Sequence, residues 1–89
     1  MQQPTKAYIL VQTERWGTTV ANRLRQIPGV VLAHDVTGPY DALALVSSID
    51  DSGGLHRILE AVRDVPGVLR VLAAPLIEAD GHDAHVDAA

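Results

Sequence analysis

Cysteine is absent from the 89 residues, so no disulfide framework, thiolate metal site or cysteine nucleophile is available. Phenylalanine is absent too, and Tyr8, Trp16 and Tyr40 are the only aromatic side chains. The core must then be aliphatic, and the aromatic platform on which single-strand nucleic-acid binders stack bases is missing. Basic charge is scarce: seven Lys and Arg, a single lysine among them, stand against eleven Asp and Glu for a net charge of −4. Such a balance argues against direct contact with a polyanion. No apolar run approaches the roughly 18 residues of a spanning helix. Residues Met1 to Lys6 are polar, with no basic stretch leading into a hydrophobic run and a small-residue cleavage site, so they do not read as a signal peptide. The expectation is a soluble cytoplasmic protein that touches neither nucleic acid nor membrane.

What is present is aliphatic: 47% of the chain is hydrophobic, and at 9.5 kDa that suffices for one small domain. Residues 80–89 carry three acids, no base and no apolar periodicity, and read as a disordered tail. Without them, residues 1–79 hold eight acids against seven bases. The folded part is therefore nearly neutral, and the net charge says little about any binding surface.

Within residues 1–79 the sequence repeats itself. Arg25-Gln26-Ile27-Pro28-Gly29-Val30 recurs 38 residues later as Arg63-Asp64-Val65-Pro66-Gly67-Val68. In each copy Pro-Gly ends a helix, because proline disfavours helical geometry in the preceding residue and glycine permits a turn with positive φ. The first helix is expected over about residues 18–27, with Val20, Ala21, Leu24 and Ile27 inward and Thr18 or Thr19 as cap. The second is expected over about 52–65, with the stripe Leu55, Ile58, Leu59, Val62 and Val65 and with Asp51 or Ser52 as cap. Strands are expected at 7–13, 30–36, 42–48 and 69–77. The second and third are joined by the turn-rich Thr37-Gly38-Pro39-Tyr40-Asp41 as an antiparallel hairpin. Pro75 places the last strand on a sheet edge, where its missing N–H is not needed. The order βαββαβ with a duplicated half is the α+β, ferredoxin-like arrangement: a four-stranded antiparallel sheet with two helices on one face.

One face of such a sheet is left uncovered, yet the strands do not alternate. Ala7-Tyr8-Ile9-Leu10-Val11, Val30-Val31-Leu32-Ala33 and Ala42-Leu43-Ala44-Leu45-Val46 are continuous apolar runs, the pattern of strands buried on both faces. An apolar face of that size is larger than soluble monomers ordinarily expose. A second copy packed sheet to sheet through a two-fold contact would cover it, so a homodimer is expected.

The order of elements, the two Pro-Gly-Val helix ends and the hairpin Asp35-Val36-Thr37-Gly38-Pro39-Tyr40-Asp41-Ala42 between them resemble the ligand-binding (RAM) domain of the Lrp/AsnC feast/famine regulators. The resemblance covers about residues 6–79. It implies a dimeric α/β barrel, a higher assembly such as an octamer, and a small effector, an amino acid or related metabolite, bound near the hairpin. The chain starts at its first strand where full-length regulators carry a helix-turn-helix, so it resembles the stand-alone members. Full-length Lrp/AsnC regulators are then possible assembly partners. The sequence departs from the family at Ala73-Ala74-Pro75, where Ser or Thr hydroxyls are common.

The candidate ligand-binding residues are Thr37, Gly38, Pro39, Tyr40 and Asp41. Gly38 permits close approach, and the Asp41 carboxylate with the hairpin amides matches the ammonium and carboxylate of an amino acid. The competing reading is structural: Gly-Pro makes the turn and Asp41 caps it. Trp16, at the first strand's exit, is either a pocket wall or a packing residue. His34 and Asp35 are adjacent strand residues and point to opposite faces. His82, Asp83, His85 and Asp87 are metal-ligand types in a flexible segment, where ordering entropy opposes a site. His56 belongs to the second helix's solvent side, and Arg15, Arg23, Arg25, Arg57 and Arg63 read as a solvated set. No metal, cofactor or catalytic constellation is expected, and the chain is read as a non-enzyme. Two alternatives stand beside it. A cofactor-independent dimeric α/β-barrel monooxygenase or isomerase would depend on His34. An ACT-like regulatory domain shares βαββαβ but would need a Pro ahead of a glycine such as Gly17.

Overall fold

The computed structural model of the protein describes residues 4–14, 20–49 and 53–77. It contains β1 (Thr5–Thr13), α1 (Val20–Leu24), β2 (Val30–Asp35), β3 (Ala42–Ser48), α2 (Gly54–Arg63) and β4 (Val68–Pro75). The four strands form one sheet in the order β2-β3-β1-β4, with every neighbour antiparallel. This is the expected ferredoxin-like arrangement, with β4 on an edge. Leu76 N–H donates to the Lys6 carbonyl at 2.8 Å, so by strand alternation the nitrogen of Pro75 is turned away from β1 and no ladder bond is lost there.

Helix bounds differ from those expected. α1 ends at Leu24, after which the chain tightens: Gln26 N–H reaches the Arg23 carbonyl and Ile27 N–H the Leu24 carbonyl, both across three residues. Pro28 accounts for this, because it disfavours helical geometry at Ile27. α2 starts at Gly54, later than expected, and its cap is neither Asp51 nor Ser52. Gly53 holds that place with φ +101° and no side-chain cap bond, a left-handed geometry that glycine adopts without strain. Thr18, Thr19, Asp51 and Ser52 lie outside the described residues, as do Trp16, His82, His85 and the whole of segment 80–89.

The internal duplication is visible in the backbone. Ile27 N–H to Leu24 and Val30 N–H to Ile27 in the first copy are matched by Val65 to Val62 and Val68 to Val65 in the second. The two turns then anchor alike: the Gly29 carbonyl accepts from Ser47 N–H at 2.9 Å, and the Gly67 carbonyl from Glu14 N–H at 2.8 Å. Register shifts follow at equivalent points, between Val30 and Leu32 and opposite Gln12 and Thr13. The extra residues, Val31 and Leu69, are both exposed.

Both helices cover one face of the sheet. Val20, Ala21 and Leu24 of α1 and Ile58 and Val62 of α2 close on Ala7, Ile9, Val11, Ala33, Ala42, Ala44 and Val46. Leu55, Leu59, Ile27 and Val65 pack around them, so both expected stripes face inward. One arginine of the set read as solvated, exposed as expected, also bonds to the backbone. Arg25 donates through Nε and Nη2 to the Ala33 carbonyl, at 3.1 and 2.7 Å, and through Nη1 to Asn22 Oδ1 at 2.7 Å. The guanidinium fork thereby occupies an acceptor on the outer strand β2, one of the devices by which sheet edges avoid further pairing.

The opposite face carries Lys6, Tyr8, Leu10 and Gln12 of β1, Leu43, Leu45 and Ser47 of β3, Leu32 and His34 of β2, and Arg70, Leu72 and Ala74 of β4, as the pairing registers require. No helix covers it among the described residues. Tyr8, Leu32 and Leu72 are exposed large apolar side chains of this face, and Val36, Ile49 and Leu76 continue its alternation beyond the strand ends.

Candidate functional site

The β2–β3 hairpin stands at the end of the sheet where β1 exits. Val36 N–H donates to the Asp41 carbonyl at 2.9 Å, closing the loop Thr37–Tyr40, and Asp41 N–H donates to the Val11 carbonyl at 2.8 Å. Gly38 is in the left-handed region at φ +125°, with nothing within 4 Å of where a Cβ would stand. Open space and an unshielded backbone thus coincide at the loop tip.

Two residues that sequence reasoning did not single out tie this hairpin to β1. Gln12 Nε2 donates to the Pro39 carbonyl at 3.0 Å. Thr13 donates to Asp41 Oδ2 twice, from its backbone N–H at 2.8 Å and from Oγ1 at 3.2 Å. No sequence pattern announces these contacts, because Thr13 and Asp41 are 28 residues apart and meet only once the register is set. The Asp41 side chain therefore bonds to β1 rather than capping its own turn. Both bonds converge on Oδ2, and no hydrogen bond of the described residues reaches Oδ1. Thr37, Gly38, Pro39, Tyr40 and Asp41 are brought together with Gln12 and Thr13, whereas Trp16 lies outside the described residues.

Asp41→Ala leaves the Thr13 N–H without its acceptor in a half-buried place, a loss of about 1–3 kcal/mol. A fall in denaturation midpoint of that size, measured by chemical unfolding, checks the tie.

The remaining candidates are dispersed. Asp35 Oδ1 accepts from Ala21 N–H at 3.3 Å on the helical side, while His34 pairs with Leu43 on the open side. His56 is exposed on α2, 3.2 Å from Glu60. Among the described residues no group of three or more His, Asp or Glu is gathered to hold a metal ion, and no helix is long and apolar enough to cross a membrane.

Comparison with known proteins places this geometry. Among solved structures, a protein from Thermus thermophilus superposes with a TM-score of 0.67 at 24% identity, over 85% of this chain and 96% of its own. A hypothetical protein from Pyrococcus horikoshii gives a TM-score of 0.66 at 27% identity, over 92% of this chain and 99% of its own. A transcriptional regulator from Neisseria meningitidis, solved as a complex with L-Met, gives 0.67 at 20% identity over 93% of this chain, which spans only 56% of that regulator. A search of curated proteins finds no significant match. The family model of the Lrp/AsnC ligand binding domain matches residues 6–79, and the chain belongs to that family.

Proposed function

We propose that the chain is a non-enzymatic effector-binding and assembly module that works as a homodimer, sheet against sheet, with an amino acid or related metabolite bound at the Thr37–Asp41 hairpin. The observation that carries the dimer is the uncovered face. Tyr8, Leu10, Leu32, Leu43, Leu45, Leu72 and Ala74 make an apolar field at its centre, while Lys6, Gln12, Ser47 and Arg70 stand toward its ends. An apolar centre with a polar rim is the anatomy of a protein–protein interface. A second copy offers the same field through an isologous contact. Higher assembly, and mixed assembly with full-length Lrp/AsnC regulators, extend the same reading.

At the hairpin, Asp41 Oδ1 is the acceptor for an ammonium group, and the exposed backbone at Thr37 and Gly38 is open to a carboxylate. Trp16 is a candidate wall. The L-Met complex of the Neisseria regulator supports amino acids as the first probes. The mechanism is a population shift: an effector that contacts the hairpin differently in two assembly states favours one of them by that difference alone.

A thermal-shift screen of the amino acids, coupled to mass measurement, tests this. A binding amino acid raises the melting temperature in a concentration-dependent manner and changes the assembly mass. Asp41→Asn keeps an acceptor for Thr13 and hence the unliganded melting temperature, while losing the charge that holds the ammonium. No response to any amino acid overturns the effector, and so does an undiminished response in Asp41→Asn.

A further inference from the structure

We infer that Arg70 of β4 is the carboxylate anchor of the amino-acid site, so that the site selects a free α-carboxylate over its amide. This rests on the reading of the Thr37–Asp41 hairpin proposed above, and it adds a residue from a strand that does not belong to the hairpin. The strand registers bring the two together. Gln12 of β1 is the partner of Arg70, and both stand on the open face beside the pair Leu10 and Leu72. On its other side, Gln12 Nε2 donates to the Pro39 carbonyl at 3.0 Å, so the tip of the loop leans over β1 toward β4. Arg70 and the exposed backbone of the loop therefore meet above Gln12.

The acid of the site is drawn the same way. Asp41 Oδ2 lies 2.8 Å from the Thr13 nitrogen, which places the carboxylate against β1. Adding one strand spacing of about 4.8 Å puts it roughly 8 Å from the β4 backbone. In an α-amino acid the ammonium and the carboxylate are two bonds apart, and a charge-assisted hydrogen bond at either end spans about 2.8 Å. A zwitterion between Asp41 and Arg70 thus asks the two side chains to stand about 8 Å apart, which a long arginine side chain on the neighbouring strand satisfies.

Charge and chemistry agree with the placement. Arg70 is exposed and stands just past the irregularity at which β4 carries Leu69 as an extra residue. Among the described residues no hydrogen bond or ion pair engages its guanidinium, whereas that of Arg25 is taken by the Ala33 carbonyl. Lys6, the other described cation of this face, pairs with Ser47 at the far end. Glu14 adds a second, exposed acid at the hairpin end, so the pattern of Asp41, Glu14 and Arg70 suits a zwitterion better than a dicarboxylate. The guanidinium fork matches both oxygens of a carboxylate, while an amide offers it one uncharged acceptor.

Calorimetric titration of the full chain with the L-amino acids, and with the amide of each one that binds, tests the anchor. The acid binds at least about tenfold more tightly than its amide. Arg70→Gln lowers the affinity for the acid by that factor, to the level of the amide, and leaves the affinity for the amide unchanged. Arg70→Lys, which keeps the charge without the fork, recovers part of the loss. Asp41→Asn weakens acid and amide alike, because both carry the ammonium. Equal affinity for acid and amide in the wild type overturns the inference, as does undiminished binding of the acid in Arg70→Gln. A parallel loss of acid and amide in Arg70→Gln overturns it too, since it marks a structural role. In each of these cases the hairpin reading stands, whereas binding of no amino acid overturns that reading and the anchor with it.

Discussion

Gly29→Ala lowers the unfolding free energy by about 2–5 kcal/mol, whereas Gly67→Ala lowers it by about 1–2 kcal/mol. The two glycines occupy the same place in the repeated Pro-Gly-Val, with φ of +101° and +93°, so the backbone strain of a Cβ is common to both. Their surroundings are not alike. A Cβ on Gly29 collides with Ile58 Cδ1, and it stands 2.9 Å from Cγ1 of that side chain and 3.4 Å from the Ser47 carbonyl oxygen, while at Gly67 nothing lies within 4 Å. Ile58 is buried in the core and is held there by its neighbours, so the collision adds a packing cost of about 1–3 kcal/mol. Chemical denaturation of the two single variants measures the difference. Ile58→Val removes the colliding methyl and restores part of the loss in the Gly29→Ala background, although alone it destabilises. Equal losses at the two glycines would show that the contact with Ile58 is not made.

Leu72→Glu abolishes the proposed sheet-to-sheet dimer without unfolding the chain. In the single protomer Leu72 is 51% exposed, so a carboxylate there keeps its water. In a dimer closed over the open face it sits beside Leu10 with water excluded, and each association buries two such charges. Breaking or failing to pair a buried charge costs on the order of 3–5 kcal/mol, so the dissociation constant rises at least about a thousandfold. Light scattering at micromolar concentration reads the mass of a single chain, with an unchanged far-ultraviolet dichroism spectrum. Arg57→Glu, exposed on α2, leaves the mass alone. A dimer that survives Leu72→Glu sinks the sheet-to-sheet contact.

Much of this architecture could be read along the chain. The repeated Pro-Gly-Val marked the turns that follow both helices, although these close earlier than expected, at Leu24 and Arg63, and the stripe from Leu55 to Val65 gave the buried side of α2. The proline at position 75 put β4 on an edge. These are local signals, each set by a few adjacent residues. What escaped the sequence has the opposite property. The cap at Gly53 replaced Asp51 or Ser52 because the residue that best adopts a left-handed entry won over the best side-chain acceptor. Arg25 is exposed as read, but its bond to the Ala33 carbonyl of β2 is one that no side-chain pattern reveals. The site was half legible for the same reason: Thr37–Asp41 stands out by composition, while Gln12 and Thr13, which hold it, are ordinary strand residues until the β1–β3 register brings them alongside.

The doubled turns have a consequence for docking. Because the second half repeats the first, a half-turn about the sheet normal, through the central pair Leu10 and Leu43, carries the backbone onto itself: His34 falls on Leu72, Leu32 on Arg70, and Leu45 on Gln12. A face with that backbone symmetry and symmetric side chains would accept a second copy equally well in two orientations. Here the side chains refuse the symmetry, since leucines at one end exchange with arginine and glutamine at the other. One orientation matches apolar ends with apolar ends, and the other presses Arg70 and Gln12 onto leucine. Divergence between the two halves of the repeat is thus what gives the sheet a top and a bottom that a second copy in the proposed dimer would recognise.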